Sequence, residues 1–174
     1  MSTTIEPNKN ADISLLHDKN NYQIIDLDSE IRADRFCADL LKVFHQQLLK
    51  VRQLEPLEAG SQAAGADYFL REFMIGKCRK NIFAVTAQDI RQFAGNWYIV
   101  SNLEPNLAEL QTMLAGADSF SQYCAGHKLV TPDTAEQISA ACSQLDYFQQ
   151  RIDDFHNISG DGFSTWDKEC PLNL

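Results

Sequence analysis

From Asp28 to Phe155 the apolar residues recur at intervals of three and four, with no alternating stretch and no hairpin signal between them. Side chains at that spacing share one face of a helix, whereas a strand would place them on opposite faces. The pattern predicts an all-α protein, a compact bundle of about five helices. An irregular N-terminal arm over residues 1–27 precedes the bundle over 28–158, and a tail over 159–174 packs back on it. At 174 residues the chain can hide roughly 70% of its unfolded surface, enough for one core.

The first helix is expected from Glu30 to Leu54, capped by Asp28 or Ser29, with Phe36, Cys37, Leu40, Leu41, Val43, Phe44, Leu48, Val51 and Leu54 on one stripe. A loose stretch from Glu55 to Gly65 should lead to a second helix over Ala66–Cys78 with Phe69, Leu70 and Phe73 inward. Thr86 caps a third that runs to Trp97 and weakens at Gly95. A fourth begins near Glu104 with Pro105 in its first turn and stops at Gly126. Thr131 and Pro132 open a fifth, with Ile138, Ala141, Leu145, Phe148, Ile152 and Phe155 in line. Phe163 and Trp166 in the tail are free to pack on the body.

Charge narrows the partners. Fifteen Lys and Arg against 24 Asp and Glu give −9 and a pI near 4.8, a field that repels a polyanion, so nucleic acid is not expected as the main partner. The start Met1-Ser2-Thr3-Thr4-Ile5-Glu6-Pro7 lacks the basic and apolar regions of a secretory signal. No run approaches the ~20 apolar residues of a membrane span. The expected location is the cytosol, without membrane association. Five cysteines, Cys37, Cys78, Cys124, Cys142 and Cys170, are odd in number and irregularly spaced, the usage of reduced structural thiols rather than a disulfide framework or zinc ribbon.

Four constellations bear on chemistry. Gly60 and Gly65 share the offset of a phosphate loop, but Ala66 and Asp67 follow where a Lys is required, so an interhelical linker is the better account. Asp153 and His156, at i and i+3, can converge on one metal from one helix face, with Asp67 or Asp146 completing the set. The plainer account is a partly buried histidine near a helix C-terminus. A thiolate could pair with His17, His45, His127 or His156, yet Cys37 and Cys124 fall mid-stripe, where burial blunts a thiol. Arg71, Lys77, Arg79 and Lys80, interleaved with Tyr68, Phe69 and Phe83, could hold nucleic acid by phosphate contacts and stacking; the structural account is a solvated helix end over inward aromatics.

The stretch from about Ala66 to Phe155 resembles the small SAM-like helical core-binding domain of tyrosine recombinases. Tyr68-Phe69-Leu70, Val85-Thr86-Ala87-Gln88-Asp89-Ile90-Arg91-Gln92-Phe93, Phe120-Ser121-Gln122-Tyr123-Cys124, Leu129-Val130 and Thr131-Pro132 carry the likeness. In that family the domain clamps DNA, and a separate domain supplies the nucleophilic Tyr with its Arg and His partners. The resemblance implies a helical architecture, while those catalytic residues have no counterparts in this chain and the acidic charge departs from a DNA-clamping surface.

The expected function is a non-enzymatic interaction or regulatory module, acting on a protein partner or a second copy, with no catalytic residue and no cofactor. The alternatives are a metal- or ligand-binding bundle using Asp153 and His156, and a nucleic-acid accessory domain using Arg71, Lys77, Arg79 and Lys80.

Overall fold

The computed structural model describes residues 12–174; the part of the N-terminal arm before them lies outside the described residues. Helix α1 (Ile13–Leu16) and a 3₁₀ turn (Lys19–Tyr22) lead into α2 (Leu27–Lys50). α3 (Pro56–Asp67) continues unbroken into a π-helical segment, Tyr68–Lys77. After a 3₁₀ turn (Ile82–Ala84), α4 (Ala87–Gln92), a second π segment (Phe93–Trp97) and α5 (Tyr98–Ser101) form one rod. α6 (Leu107–Gly126), α7 (Pro132–Cys142), α8 (Leu145–His156) and α9 (Phe163–Glu169) complete the chain. Among the described residues the class is all-α with no strand, and the rods number eight where about five were expected. No helix among the described residues is long and apolar enough to cross a membrane.

The differences have local causes. Asp26, not Asp28 or Ser29, caps α2: its carboxylate accepts the Ser29 N–H at 2.8 Å, and Ser29 Oγ accepts the Asp26 N–H at 2.9 Å. The helix stops at Lys50 because Gln53 takes a left-handed φ of 53° and the Leu54 N–H reaches back to the Leu48 carbonyl, which leaves Val51 71% exposed. Arg79 and Lys128 close their helices in the same way, with φ of 52° and 59°. Asn106 caps α6 through Glu109 N, two residues later than the Glu104 start expected. The fifth helix is two, since it breaks at Ser143 and Gln144 while both halves keep their apolar faces on the same core.

The expected linker from Glu55 to Gly65 is helix α3. Pro56 sits in its first turn, where the missing N–H costs nothing, and alanines favour the helix. Gly65 and Gly116 then allow α3 and α6 to cross in backbone contact. A Cβ on Gly65 would lie 2.7 Å from Met113 Cα, and one on Gly116 would lie 2.7 Å from Ala66 N and nearer still to the Gln62 carbonyl oxygen. Beside this crossing the two π segments meet in an aromatic cluster, with Phe69–Phe93 at 5.0 Å, Phe73–Trp97 at 5.4 Å and Tyr68–Trp97 at 5.5 Å between ring centroids.

Glycine acts differently at Gly60, where a Cβ would meet nothing within 4 Å. Gly60→Ala should raise unfolding free energy by about 0.5–1 kcal/mol through helix propensity. Gly116→Ala should lower it by about 1–3 kcal/mol through overpacking. Chemical denaturation of the two variants checks both signs.

Candidate functional site

The four cations of the expected patch do not form a free surface. Arg71 is held by both oxygens of Asp34 at 2.8 and 2.9 Å and by Asp67 at 3.2 Å, and these carboxylates raise its pKa. Lys80 donates to Asp89 at 2.8 Å, a hydrogen bond that raises its pKa and closes the charge of a buried carboxylate in the α4 capping box. Arg79 lies 3.5 Å from Glu30, and Lys77 is exposed. Phe69 and Phe83 are buried and Tyr68 is half-buried, so the aromatics between the cations serve the core.

Asp153 and His156 both lie on the exposed side of α8, so the histidine expected to be partly buried is in water. Asp153 accepts Gln149 Nε2 at 2.8 Å, Asp67 is engaged by Arg71, and no three His, Cys, Asp or Glu side chains converge among the described residues. Gly60 and Gly65 sit within α3 and form no loop.

All five cysteines are free. Burial pushes the Cys78 thiol up to about 11 and the Cys142 thiol to about 12, and raises Cys37, Cys124 and Cys170 as well, so the thiol is the favoured form of each at neutral pH.

The surface with the most distinctive character is built by the last three helices. Residues 129–174 hold eight carboxylates against Arg151 and Lys168, and so −6 of the chain's −9. Gln149 donates to Asp153 and Gln150 to Asp154, each at 2.8 Å and one helical turn apart, which fixes both carboxylates on the outer face of α8 without neutralising them. Asp146 and Tyr147, the latter 41% exposed, stand at the start of the same helix. They border an open cleft of about 710 Å³ whose other walls are Arg91, Ser143, Gln144 and Leu145. Arg91 Nε donates to Gln144 Oε1 at 3.1 Å, tying α4 to the α7–α8 corner that shapes the cleft.

Arg151 supports this face from behind. It is 2% exposed, donates from Nε to the Gly95 carbonyl at 2.8 Å and from Nη1 to the Trp166 carbonyl at 2.8 Å and Glu169 at 3.2 Å, and stacks 3.9 Å over the Trp166 ring. Trp166 returns a hydrogen bond from its indole N–H to the Arg151 carbonyl at 3.0 Å. Helical spacing does not single out Arg151 as a buried cation. The available signal was an arginine three positions after Phe148 and four before Phe155, on the apolar stripe itself.

Comparison with protein-family models, with curated proteins and with solved structures finds no match in any of the three.

Removing Arg151 takes away the side-chain donors to the Gly95 and Trp166 carbonyls and the cation stacked on the Trp166 ring, and opens a cavity there. Arg151→Ala should therefore cost about 2–4 kcal/mol of stability. Glu169 is largely exposed, so Glu169→Gln should cost less than about 1 kcal/mol. Equilibrium denaturation in urea reads both.

Proposed function

We propose that the protein is a non-enzymatic interaction module that docks a cationic segment of a partner protein on the outer face of α8. The observation that carries this is the charge partition: Asp146, Asp153 and Asp154 stand in water beside an exposed Tyr147 and an open cleft, on the part of the chain that holds −6. Complementary charge steers encounter and selects the partner. The tyrosine and the cleft add the apolar contact that a purely electrostatic complex lacks. The same charge opposes self-association through this face. Five free, mostly buried thiols suit a cytoplasmic setting, where cysteines stay reduced.

A synthetic Lys- and Arg-rich peptide of about a dozen residues is a sufficient probe, because charge complementarity is what the proposal claims. Asp146→Asn, Asp153→Asn and Asp154→Asn combined should weaken its binding roughly tenfold, about 1.4 kcal/mol. Neutralising the exposed Glu55, Glu72 and Glu104 instead should change it less than about twofold, since these lie outside the acidic segment. Equal losses in the two triple variants by titration calorimetry would mean that the peptide senses only net charge, and the docking face would be withdrawn.

A further inference from the structure

The end of α1 and the end of α6 bring two histidines together that are remote in sequence. His17 Nε2 lies 2.7 Å from Tyr123 Oη, its ring centroid is 5.0 Å from that of His127, and the His127 ring is 4.4 Å from Tyr123. His127 Nε2 lies 3.0 Å from Gln47 Oε1 on α2. His17 is half-buried, whereas His127 is exposed. Three elements therefore meet at one imidazole pair.

Among the described residues the groups around that pair hold no counter-ion for it. Beside His17 in the chain stand Asp18, whose carboxylate caps the following 3₁₀ turn through Asn20 N at 2.9 Å, and Lys19. α6 and its exit bring Tyr123, Cys124 and Lys128, and α2 brings Phe44 against Tyr123 and the neutral amide of Gln47. No ion pair to either histidine occurs among the described residues. The His17–Tyr123 bond survives protonation whichever tautomer precedes it, because the hydroxyl both donates and accepts. The unfavourable state is the doubly charged one, in which two imidazolium rings stand at 5.0 Å with one of them partly out of water.

We propose that His17 and His127 form a pH-sensitive latch, so that charging both imidazoles releases α1 and the 3₁₀ turn from the surface of α2 and α6. Undocking separates the two charges and rehydrates His17. The segment released is a cover: Leu16 and Tyr22 are buried beneath it, the Tyr22 ring stands edge-on to Phe83 at 4.9 Å and Phe36 at 6.2 Å, and its hydroxyl donates to the Leu16 carbonyl at 2.6 Å. Asn81 Nδ2 donates to the Lys19 carbonyl at 2.9 Å and holds the start of the 3₁₀ turn. Opening at acid pH thus bares an aromatic surface that is covered at neutral pH.

The sign is fixed by the environment of His17. Desolvation first, and the neighbouring His127 second, lower its pKa from the ordinary 6.5. The docked state then binds fewer protons than the undocked one, so docking is complete above that pH and declines as pH falls below it.

Hydrogen exchange of residues 13–22 in the full chain, corrected for the intrinsic pH dependence of amide chemistry, reads the opening directly. Between pH 7.5 and 5.0 the opening constant should rise roughly three- to tenfold, while amides in the middle of α6 stay protected. The double variant His17→Gln/His127→Gln should abolish the change, and His127→Gln alone should raise the titration midpoint of the His17 ring by NMR. A pH-independent opening of the native chain, or an undiminished response in the double variant, overturns the latch. If the double variant is unfolded by circular dichroism, His127→Gln alone decides, since His127 is exposed: a full response in that variant also overturns the proposal.

Discussion

The arrangement of the bundle depends on the crossing of α3 and α6. Two helices with side chains between them stand about 8–10 Å apart; glycine on both sides lets the backbones themselves touch. Gly65 and Gly116 create that condition in this chain, and each leaves no room for a methyl group. The close crossing makes α3 and α6 a single wall. Its inner side presents Ala66, Phe69 and Leu70 from one rod and Ala117, Phe120 and Cys124 from the other, all buried. α2 packs Leu40, Leu41 and Phe44 into that core, and Phe44 meets Phe120 at 5.5 Å. The wall also sets where α6 ends, and therefore where Tyr123 and His127 stand to receive α1.

The second organising element is the buried guanidinium of Arg151. It joins three parts that are separate in the chain: the π segment through Gly95, α8 on which it sits, and α9 through Trp166 and Glu169. A buried cation is expensive unless its donors are engaged; here backbone carbonyls and a carboxylate take Nε and Nη1 and an indole face covers the plane, while Nη2 is buried without a hydrogen-bond partner among the described residues. This fastening lets α8 turn its outer side to water with no other helix of the described residues over it, and so lets the face carry charge.

Sequence periodicity exposed those parts of the fold whose determinants are local. The α2 stripe from Phe36 to Leu48, the Thr86 cap, and Thr131 with Pro132 sit where expected, because helix propensity and capping act within one or two turns. The failures share one cause. Gly60 and Gly65 read as helix breakers because the benefit of Gly65 is realised only against Met113, on another rod. The break at Ser143 and Gln144 is invisible because Ile138, Ala141, Leu145, Phe148 and Ile152 keep helical spacing across it, both halves burying against one core. Of the candidate site residues, Arg71 looked free because its partner Asp34 lies 37 positions away, and His17 could not be linked to Tyr123 across 106. Spatial pairing of polar groups at such separations leaves no trace in spacing, whereas the acidity of the C-terminal part is plain in the residue count.

Under the docking role proposed above, that acidity sets a stability requirement against a binding one. Along α8 a lysine one turn before Asp153 or Asp154 would have added an intrahelical ion pair; the chain has Gln149 and Gln150 there, which orient the carboxylates and leave the charge whole. Self-repulsion across the last three helices then weakens the free fold, and added salt, by screening it, should raise the unfolding midpoint. The same salt must weaken a complex held by a cationic partner. Repulsion alone accounts for the first effect and is silent on the second. If α8 keeps its charge for an external cation, fold stability should rise and peptide affinity fall over one range of ionic strength, and the fall in affinity should be steeper for the native chain than for the Asp146→Asn/Asp153→Asn/Asp154→Asn variant, whereas a response to net charge alone gives the same slope as neutralising three distant glutamates.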